Sequence, residues 1–439
     1  MKTLLPFVLL FSLTHCVPPT TSGGRADQRS RRNTTAITQD GVYTDRTFSP
    51  NVKTVRLLLP DEPLYTSTYP IDQNIPVVLS FDVLELDPSA TYGDYSAKII
   101  HCNADWQKSK LYDMDFLTGY NEFRITNETL SFNTKIPFGH YQVALPPVKM
   151  PGNYIIQVYQ GTNEQDVLLT KRFMVYGRVA GIAAEVRPSS DVSRRNTSQQ
   201  LEFTVNYGDI NIPNPQQDIY VVIRQNQQWF NMIEGIKPTF VNETDRVLEY
   251  VPFDLSSNFY AGSEYRFFDL RTLNALGQNV GEVRRDVTPV EAFLLADRSR
   301  NTQAYSQIDD LNGNYVIGNL DQRGGELSAD YVLTHFFLEA EAVPDNVYVT
   351  GEFNNRTLTP LNRMTYDPAL KGYTADILLK QGFYNYLYYA DQTPTPYPFD
   401  GNHFETENRY EIFVYARPIG ARADWLIGYT TFFANPQNR

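Results

Sequence analysis

One short stretch of the sequence holds the residue types best able to do chemistry: His101, Cys102, Asn103, Asp105 and Trp106. A cysteine hydrolase needs a histidine base beside its nucleophile, and here it would use His101, Cys102 and Asp105. Adjacent residues on a strand point to opposite faces of a sheet, which separates His101 from the Cys102 sulfur. We therefore expect a structural motif in which Cys102 packs as a small apolar residue and Trp106 anchors a core. His101 and Asp105 are expected to make loop hydrogen bonds.

Motifs that mark a cofactor or metal site are missing from the rest of the sequence. The two cysteines and five scattered histidines include no His-x-x-x-His pair, and no Walker loop, dinucleotide fingerprint or Gly-x-Ser-x-Gly elbow occurs. Residues 309–314 resemble part of a calcium loop but lack its sixth-position glycine and twelfth-position glutamate, which is typical of a turn. We expect no metal, no cofactor, no small-molecule substrate and no enzymatic activity.

Composition and charge restrict the fold class and the partners. The chain has 439 residues, of which 42% are hydrophobic and 13% aromatic, and its formal net charge is −12. Its 30 Tyr, 26 Phe, 27 Pro and 25 Gly favour strands and turns over helices. The acidic balance argues against nucleic acid as a partner, because such binding depends on neutralising phosphates.

The N-terminus has the features of an export signal. A basic start at residues 1–3 precedes an apolar run at 4–13, which is shorter than the ~20 residues of a membrane-spanning helix. Leu13 lies three residues before Cys16, a spacing that resembles a bacterial lipobox, although His15 stands where that motif has a small residue. Lipidation of Cys16 is the preferred interpretation and ordinary cleavage the alternative. Residues 17–49 are predicted to be a flexible tether.

Short apolar runs separated by proline and glycine predict strands along the rest of the chain. In residues 201–207, Leu201, Phe203, Val205 and Tyr207 alternate with polar residues, as in a half-buried strand. We predict an all-β fold of tandem Ig-like β-sandwiches at residues 50–178, 179–290 and 331–439, with a connecting segment at 291–330. The runs that we assign to strands are 54–59, 97–101, 154–159, 172–176, 201–207, 219–224, 265–270, 315–317, 346–350, 373–379, 383–389, 410–415 and 426–431.

The C-terminal part resembles an Ig-like glycogen-binding module. Residues 348–356 and the Tyr-rich run 382–389 match its Gly-x-Phe-Asn-x-Trp turn and following strand, but Arg356 stands where the sugar-stacking Trp would be. Phe353 is expected in the core and Asn354 as a turn cap. A glycan-binding periplasmic or surface lipoprotein is therefore our alternative function.

Several short sequence motifs, in the order in which they occur here, resemble those of the plug protein family of the type IX secretion system of Bacteroidetes. The most distinctive phrase is residues 101–106, and the others are 131–134, 140–141, 151–154, 171–175, 225–226, 348–354, 381–386, 405–408 and 427–429. This resemblance implies a non-enzymatic periplasmic protein at the inner face of the outer membrane. It would occlude the periplasmic opening of an SprA-type barrel when no substrate is present, with that barrel as its partner and the outer membrane reached through a lipid anchor.

Overall fold

A computed structural model describes residues 41–59, 64, 67–73, 76–84, 93–391 and 395–436. The predicted export signal, Cys16 and most of the predicted tether lie outside these residues. The described residues form an all-β structure, which confirms the predicted fold class, and every predicted strand overlaps an observed one. The helices are single turns: α1 (Asp113–Phe116), α2 (Pro215–Asp218) and the 3-10 turns Val192–Arg194, Gly325–Ser328 and Glu352–Asn354. In the described ranges, no helix has the length and apolar character needed to cross a membrane.

The N-terminal sandwich is built from the first group of strands. One sheet has the order β1-β10-β9-β5-β6, with β3 parallel to β10, and the other has the order β2-β4-β8-β7. Apolar side chains of both sheets, such as Phe81, Ile99, Tyr141 and Phe173, fill the space between them. The strands are β1 (Arg46–Thr47), β2 (Val52–Leu58), β3 (Thr68–Pro70), β4 (Val78–Leu84), β5 (Tyr95–Cys102), β6 (Phe123–Ile125), β7 (Asn127–Leu130), β8 (Phe138–Ala144), β9 (Gly152–Gln160) and β10 (Val167–Tyr176).

The middle sandwich begins with a second group of strands. In β12, Leu201, Phe203 and Val205 are buried while their polar neighbours face outward, so the alternation read from the sequence is confirmed. One sheet has the order β11-β12-β16-β15, with β17 also paired to β12. The strands are β11 (Gly181–Pro188), β12 (Ser198–Asn206), β13 (Ile219–Gln225), β14 (Ile233–Glu234), β15 (Phe240–Asn242), β16 (Val247–Tyr250) and β17 (Asn258–Tyr260).

The chain then forms a third sandwich, here called the inserted sandwich. Its sheets have the orders β18-β27-β22, with β24 also on β27, and β19-β20-β23-β26-β25, with β21 on β23. Phe268, Phe336, Tyr384 and Tyr388 are among the aromatic residues of its core. The strands are β18 (Arg266–Asp269), β19 (Val280–Arg284), β20 (Val290–Leu294), β21 (Asp297–Arg298), β22 (Tyr315–Ile317), β23 (Tyr331–Glu339), β24 (Val347–Thr350), β25 (Thr365–Asp367), β26 (Gly372–Lys380) and β27 (Gly382–Ala390).

After the inserted sandwich the chain returns to complete the middle one. Strands β28 (Asn408–Ala416) and β29 (Trp425–Ala434) form the sheet β14-β13-β28-β29, in which Ile219 pairs with Ala416 and Gln225 with Tyr410. Tyr410, Ile412 and Val414 enter the middle core. The domain boundaries at 290 and 331 stay a prediction. Hydrogen-bonded sheets contain strands from both sides of these boundaries, because β18 pairs with β27 and β13 pairs with β28.

The return of the last two strands predicts how the chain responds to truncation. A chain ending at residue 405 should lose cooperative thermal unfolding, because β13 loses its ladder partner and the middle core loses Tyr410, Ile412 and Val414. Removing one such buried apolar side chain typically lowers the free energy of unfolding by about 2–5 kcal/mol, and the total for a domain is typically about 5–15 kcal/mol. A chain ending at Pro436 is the control and should melt like the full chain. Equal melting temperatures for both truncations, measured by circular dichroism, would contradict this topology.

Candidate functional site

The motif at residues 101–106 begins inside the N-terminal sandwich. His101, near the end of β5, is buried, and its ring packs edge-on against Tyr154 with centroids 4.9 Å apart. Gly152 lies against this ring so closely that a Cβ there would sit 2.4 Å from His101 Nε2. Burial lowers the pKa of His101 to about 4, so the ring is neutral at neutral pH. The ring therefore packs in the core against the rings of Tyr154 and Phe116.

Cys102 is enclosed on the opposite side of the same strand. It is fully buried beside Trp106, Met174 and Phe413, and burial raises the pKa of its thiol to about 12. A thiol is a nucleophile only as the thiolate, which this environment suppresses. Cys102 thus packs as a small apolar residue, and the structure does not bring the His101 ring together with it.

Asn103 and Asp105 shape the turn that follows β5, and Asn103 helps to fasten this turn to the middle sandwich. Asp105 Oδ1 accepts a hydrogen bond from the Gln107 amide at 3.0 Å, which is the loop contact predicted for it. The Asn103 side chain accepts from the Asp424 amide at 3.2 Å, and Asp424 Oδ2 accepts from the Ala104 amide at 3.1 Å. This reciprocal pair joins the motif to the residue just before β29.

Trp106 ends the motif and belongs to a contact that we call the tryptophan junction, which consists of the buried Trp106, Arg172 and Arg224 and the partly buried Trp229. Trp106 has a φ of +62°, an unusual conformation for a bulky residue, and its ring packs edge-on against Trp229 at 5.2 Å. The Arg172 guanidinium lies 4.3 Å from the Trp106 ring and 4.7 Å from that of Trp229. The Arg224 guanidinium also lies 4.2 Å from the Trp229 ring, so two cations and two rings are packed together at the boundary between two sandwiches.

The two arginines of the tryptophan junction are balanced by fixed partners. Burial lowers the pKa of Arg172 to about 10, and its Nε donates to the Tyr43 carbonyl at 3.0 Å. Arg224 Nε donates to Glu411 at 2.8 Å, within β28. Burial would raise the pKa of Glu411, but the charges of Arg224 and Arg409 hold it below its ordinary value. Paired, hydrogen-bonded charges of this kind are tolerated in a core, whereas an unpaired one is strongly destabilising.

The N-terminal sandwich also contacts the inserted sandwich, at a cluster that we call the aspartate junction: Asp82, His140, Tyr331 and Lys380. Asp82 Oδ2 accepts from Lys380 Nζ at 2.6 Å and from the Tyr331 hydroxyl at 2.7 Å. His140 Nδ1 lies 2.6 Å from the other oxygen of the same carboxylate. Burial acts to raise the pKa of Asp82, but the His140 hydrogen bond and the Lys380 charge lower it. One carboxylate therefore joins strands from two sandwiches.

The segment before the N-terminal sandwich docks next to the motif. The Tyr43 amide donates to the Trp106 carbonyl at 3.1 Å, Asp45 accepts from the Arg172 amide at 2.7 Å, and β1 pairs with β10. These residues lie within the range 17–49 predicted as a tether. The difference has a physical reason, because strand pairing with β10 satisfies their backbone groups and supplies the carbonyl that Arg172 needs.

Two other sequence motifs also have structural positions. The calcium-like stretch forms a turn, in which Asp310 accepts from the Tyr265 amide at 2.6 Å and Asn312 donates to Glu407 at 3.1 Å. Arg356, at the position of the sugar-stacking Trp, is buried, pairs with Glu352 and donates to Asn314 at 3.1 Å. Phe353 packs on the inserted core, and Asn354 Oδ1 caps the Gly351 amide at 3.3 Å, as expected.

Sequence reasoning missed the charged residues of both junctions. Arg172, Asp82 and Lys380 each lie within or at the end of a strongly apolar strand, which is a usable signal, because a charge buried there needs a partner. The partners of Asp82 are far away in the sequence: Tyr331 is 249 positions from it and Lys380 is 298 positions from it. Local sequence patterns therefore cannot identify these partners.

The fold and the motif define a class of protein: tandem Ig-like β-sandwiches in which His101, Cys102 and Trp106 of the motif are buried in packing contacts, as in a non-catalytic structural protein. A family model described as "Type 9 secretion system plug protein 1st domain" matches residues 52–177. This match supports the type IX secretion plug family, as the resemblance read from the sequence implied, and supports involvement in that secretion system.

A solved structure supports the fold. A crystal structure of a hypothetical protein from Parabacteroides merdae ATCC 43184 is similar, with a TM-score of 0.83 and 29% identity, over 89% of this chain and 99% of that one. A structure of Dpr2 Ig1-Ig2 in complex with DIP-Theta Ig1-Ig3, at 11% identity and a TM-score of 0.13, is too dissimilar to inform the fold. No curated protein matches the chain.

The tryptophan junction predicts unequal effects of two neighbouring substitutions. Trp106→Ala should lower the free energy of unfolding by about 3–5 kcal/mol, because it removes a large ring from a packed cluster. Cys102→Ser should cause a smaller loss and leave secretion intact. Urea unfolding of both variants measures the difference. A folded Cys102→Ser protein that no longer supports secretion would show that the motif has a chemical role.

The buried His101 predicts a pH dependence of stability. Its pKa is about 4 when folded and about 6.5 in an unfolded chain, so the unfolded state binds the extra proton between these values. The contribution of neutral His101 to the free energy of unfolding is fully present above pH 6.5 and is lost as the pH falls toward 4. His101→Phe should flatten this part of the curve of melting temperature against pH, while His403→Phe, outside the motif, should follow the wild-type curve. Parallel slopes for wild type and His101→Phe would contradict the assignment.

Proposed function

We propose that this protein is the periplasmic plug of the type IX outer-membrane translocon and occludes the periplasmic opening of the SprA-type barrel when no substrate is present. The family match over residues 52–177 carries the proposal. The proposed location is the periplasm, at the inner face of the outer membrane, where Cys16 would carry the lipid anchor.

The two junctions support this role on physical grounds. A plug must resist deformation, because a body that bends at its domain boundaries leaves gaps in a wide opening. Here the N-terminal sandwich is joined to the middle sandwich by the tryptophan junction and to the inserted one by the aspartate junction. Breaking a buried ion pair by removing one partner typically costs about 3–5 kcal/mol, which opposes bending at the boundary that the Asp82–Lys380 pair crosses.

The described surface offers side chains suited to a reversible protein contact. Tyr112, Met114 and Tyr120 follow the motif and are 70%, 77% and 95% exposed. Tyrosine and methionine are enriched in protein interfaces, and these three are candidates for contact with the barrel. A net charge of −12 adds an electrostatic preference for basic or neutral surfaces.

Opening is then a shift between two populations. Substrate, or another component of the translocon, must bind the open barrel better than the plugged one, and its differential affinity sets how far the equilibrium moves. A shift from 1% to 99% open requires about 10⁴-fold preferential binding.

Occlusion predicts an asymmetric phenotype. Deleting the gene should make cells permeable to large antibiotics that the outer membrane normally excludes, because the barrel remains and its opening is uncovered. The leak should disappear when the barrel is deleted as well. Dye uptake measures both effects, with barrel abundance followed in the same strains.

Complementation separates occlusion from other roles. Residues 41–439 behind an unrelated periplasmic anchor should reseal the membrane, whereas the same chain ending at residue 405 should not. Normal permeability in the deletion strain, together with failed uptake or degradation of a polysaccharide, would favour the glycan-binding alternative.

A further inference from the structure

A cavity of about 480 Å³ lies where the three sandwiches meet. Its lining comes from β2 and β10 of the N-terminal sandwich, from β13 and the following turn of the middle sandwich, and from β22 and the turn after β24 of the inserted one. The volume lies within the range of small-molecule sites, about 300–1,000 Å³, and such sites favour domain interfaces.

One wall of the cavity is apolar. Leu57, Leu59, Val316, Ile317 and the ring of Trp229 line it. These residues come from all three sandwiches, so a hydrocarbon chain lying here would contact each of them. The wall is suited to an apolar chain of several carbons.

The carboxylates at the cavity already have partners among the described residues. Glu326 is paired with Arg56, Glu352 with Arg356, and Asp45 accepts the Arg172 amide at 2.7 Å. Their demand for hydrogen-bond donors is therefore met within the protein. They also disfavour a ligand that carries more than one negative charge, because like charges repel across a short distance.

Donors at the same cavity are in surplus. Arg224 is 2% exposed and uses Nε for Glu411, while neither of its Nη atoms hydrogen-bonds to a residue in the described ranges. The buried Nε of Arg56 is likewise without a hydrogen-bond partner in that part of the chain. Lys171 Nζ donates to Asn355 at 2.6 Å and lies 3.6 Å from Glu352. A buried guanidinium with two free Nη groups presents the fork that binds a carboxylate bidentately.

We propose that this cavity binds a monocarboxylate with a medium-length apolar chain, the carboxylate on Arg224 and the chain along the apolar wall. A single charge matches the surplus donors without confronting the paired carboxylates. Because the ligand would contact all three sandwiches, its binding stabilises their assembled arrangement. The inference does not depend on the proposed occlusion of a pore.

Calorimetric titration of the full chain with octanoate tests the site. Octanoate should bind saturably and at least tenfold more tightly than octan-1-ol, which has the same chain and no charge. Val316→Trp should abolish binding by filling the cavity from a half-exposed position on β22. Leu320→Trp, at an exposed position that does not line the cavity, is the matched control and should bind as the wild type does.

Arg224→Lys tests the carboxylate contact separately. It keeps a positive charge near Glu411 but loses the guanidinium fork, so octanoate affinity should fall at least tenfold while octan-1-ol affinity stays unchanged. Absence of saturable octanoate binding, or equal affinities in the Val316→Trp and Leu320→Trp proteins, would overturn the proposal. If Arg224→Lys does not fold, the tryptophan pair and the comparison with octan-1-ol still decide it.

Discussion

The pairing of Ile219–Gln225 with Tyr410–Ala416 is the constraint on which the rest of the structure depends. Strand β13 contributes to the middle core and cannot leave its amides unpaired inside the protein. Its partner follows it by almost 190 positions, so the whole inserted sandwich must form within a closed loop whose two ends are held together. This closure brings the inserted sandwich back against the N-terminal one, and both junctions and the cavity follow from it.

Buried charged residues help to specify how the three sandwiches pack together. Apolar surfaces between sandwiches would stabilise contact but would tolerate sliding, because dispersion and hydrophobic contacts have little direction. A buried carboxylate such as Asp82 is satisfied only when Lys380, Tyr331 and His140 reach it together. The alternation of Arg172 and Arg224 with Trp106 and Trp229 restricts the other boundary in the same way. We interpret these contacts as selecting one arrangement, since buried ion pairs give little net stability.

Local chemistry predicted the strands well and their partners poorly. The alternation of Leu201, Phe203 and Val205 is encoded within one strand, as is the apolar character of β13, and both were readable. The inertness of Cys102 was also readable, because adjacent strand residues face opposite ways. The enclosure of His101 by Tyr154 and Phe116 was not, since the rings come from other segments. Likewise, nothing in the sequence near residue 219 indicates that the strand that pairs with β13 lies after residue 400.

If Cys16 carries the proposed lipid anchor, the docked segment at residues 42–47 sets how far the folded body could lie from the membrane. With Cys16 as the anchor, about 25 residues separate the lipid from the docking point, and at full extension they span about 90 Å. A body confined to a half-sphere of that radius has an effective concentration of about 1 mM at the membrane face. Under the proposed function, a displaced plug with such a tether would search a small volume instead of the whole compartment. After each substrate has passed, the plug would rebind the opening from close by. The rate of rebinding would then depend on the length of the tether and not on the number of plug molecules in the cell.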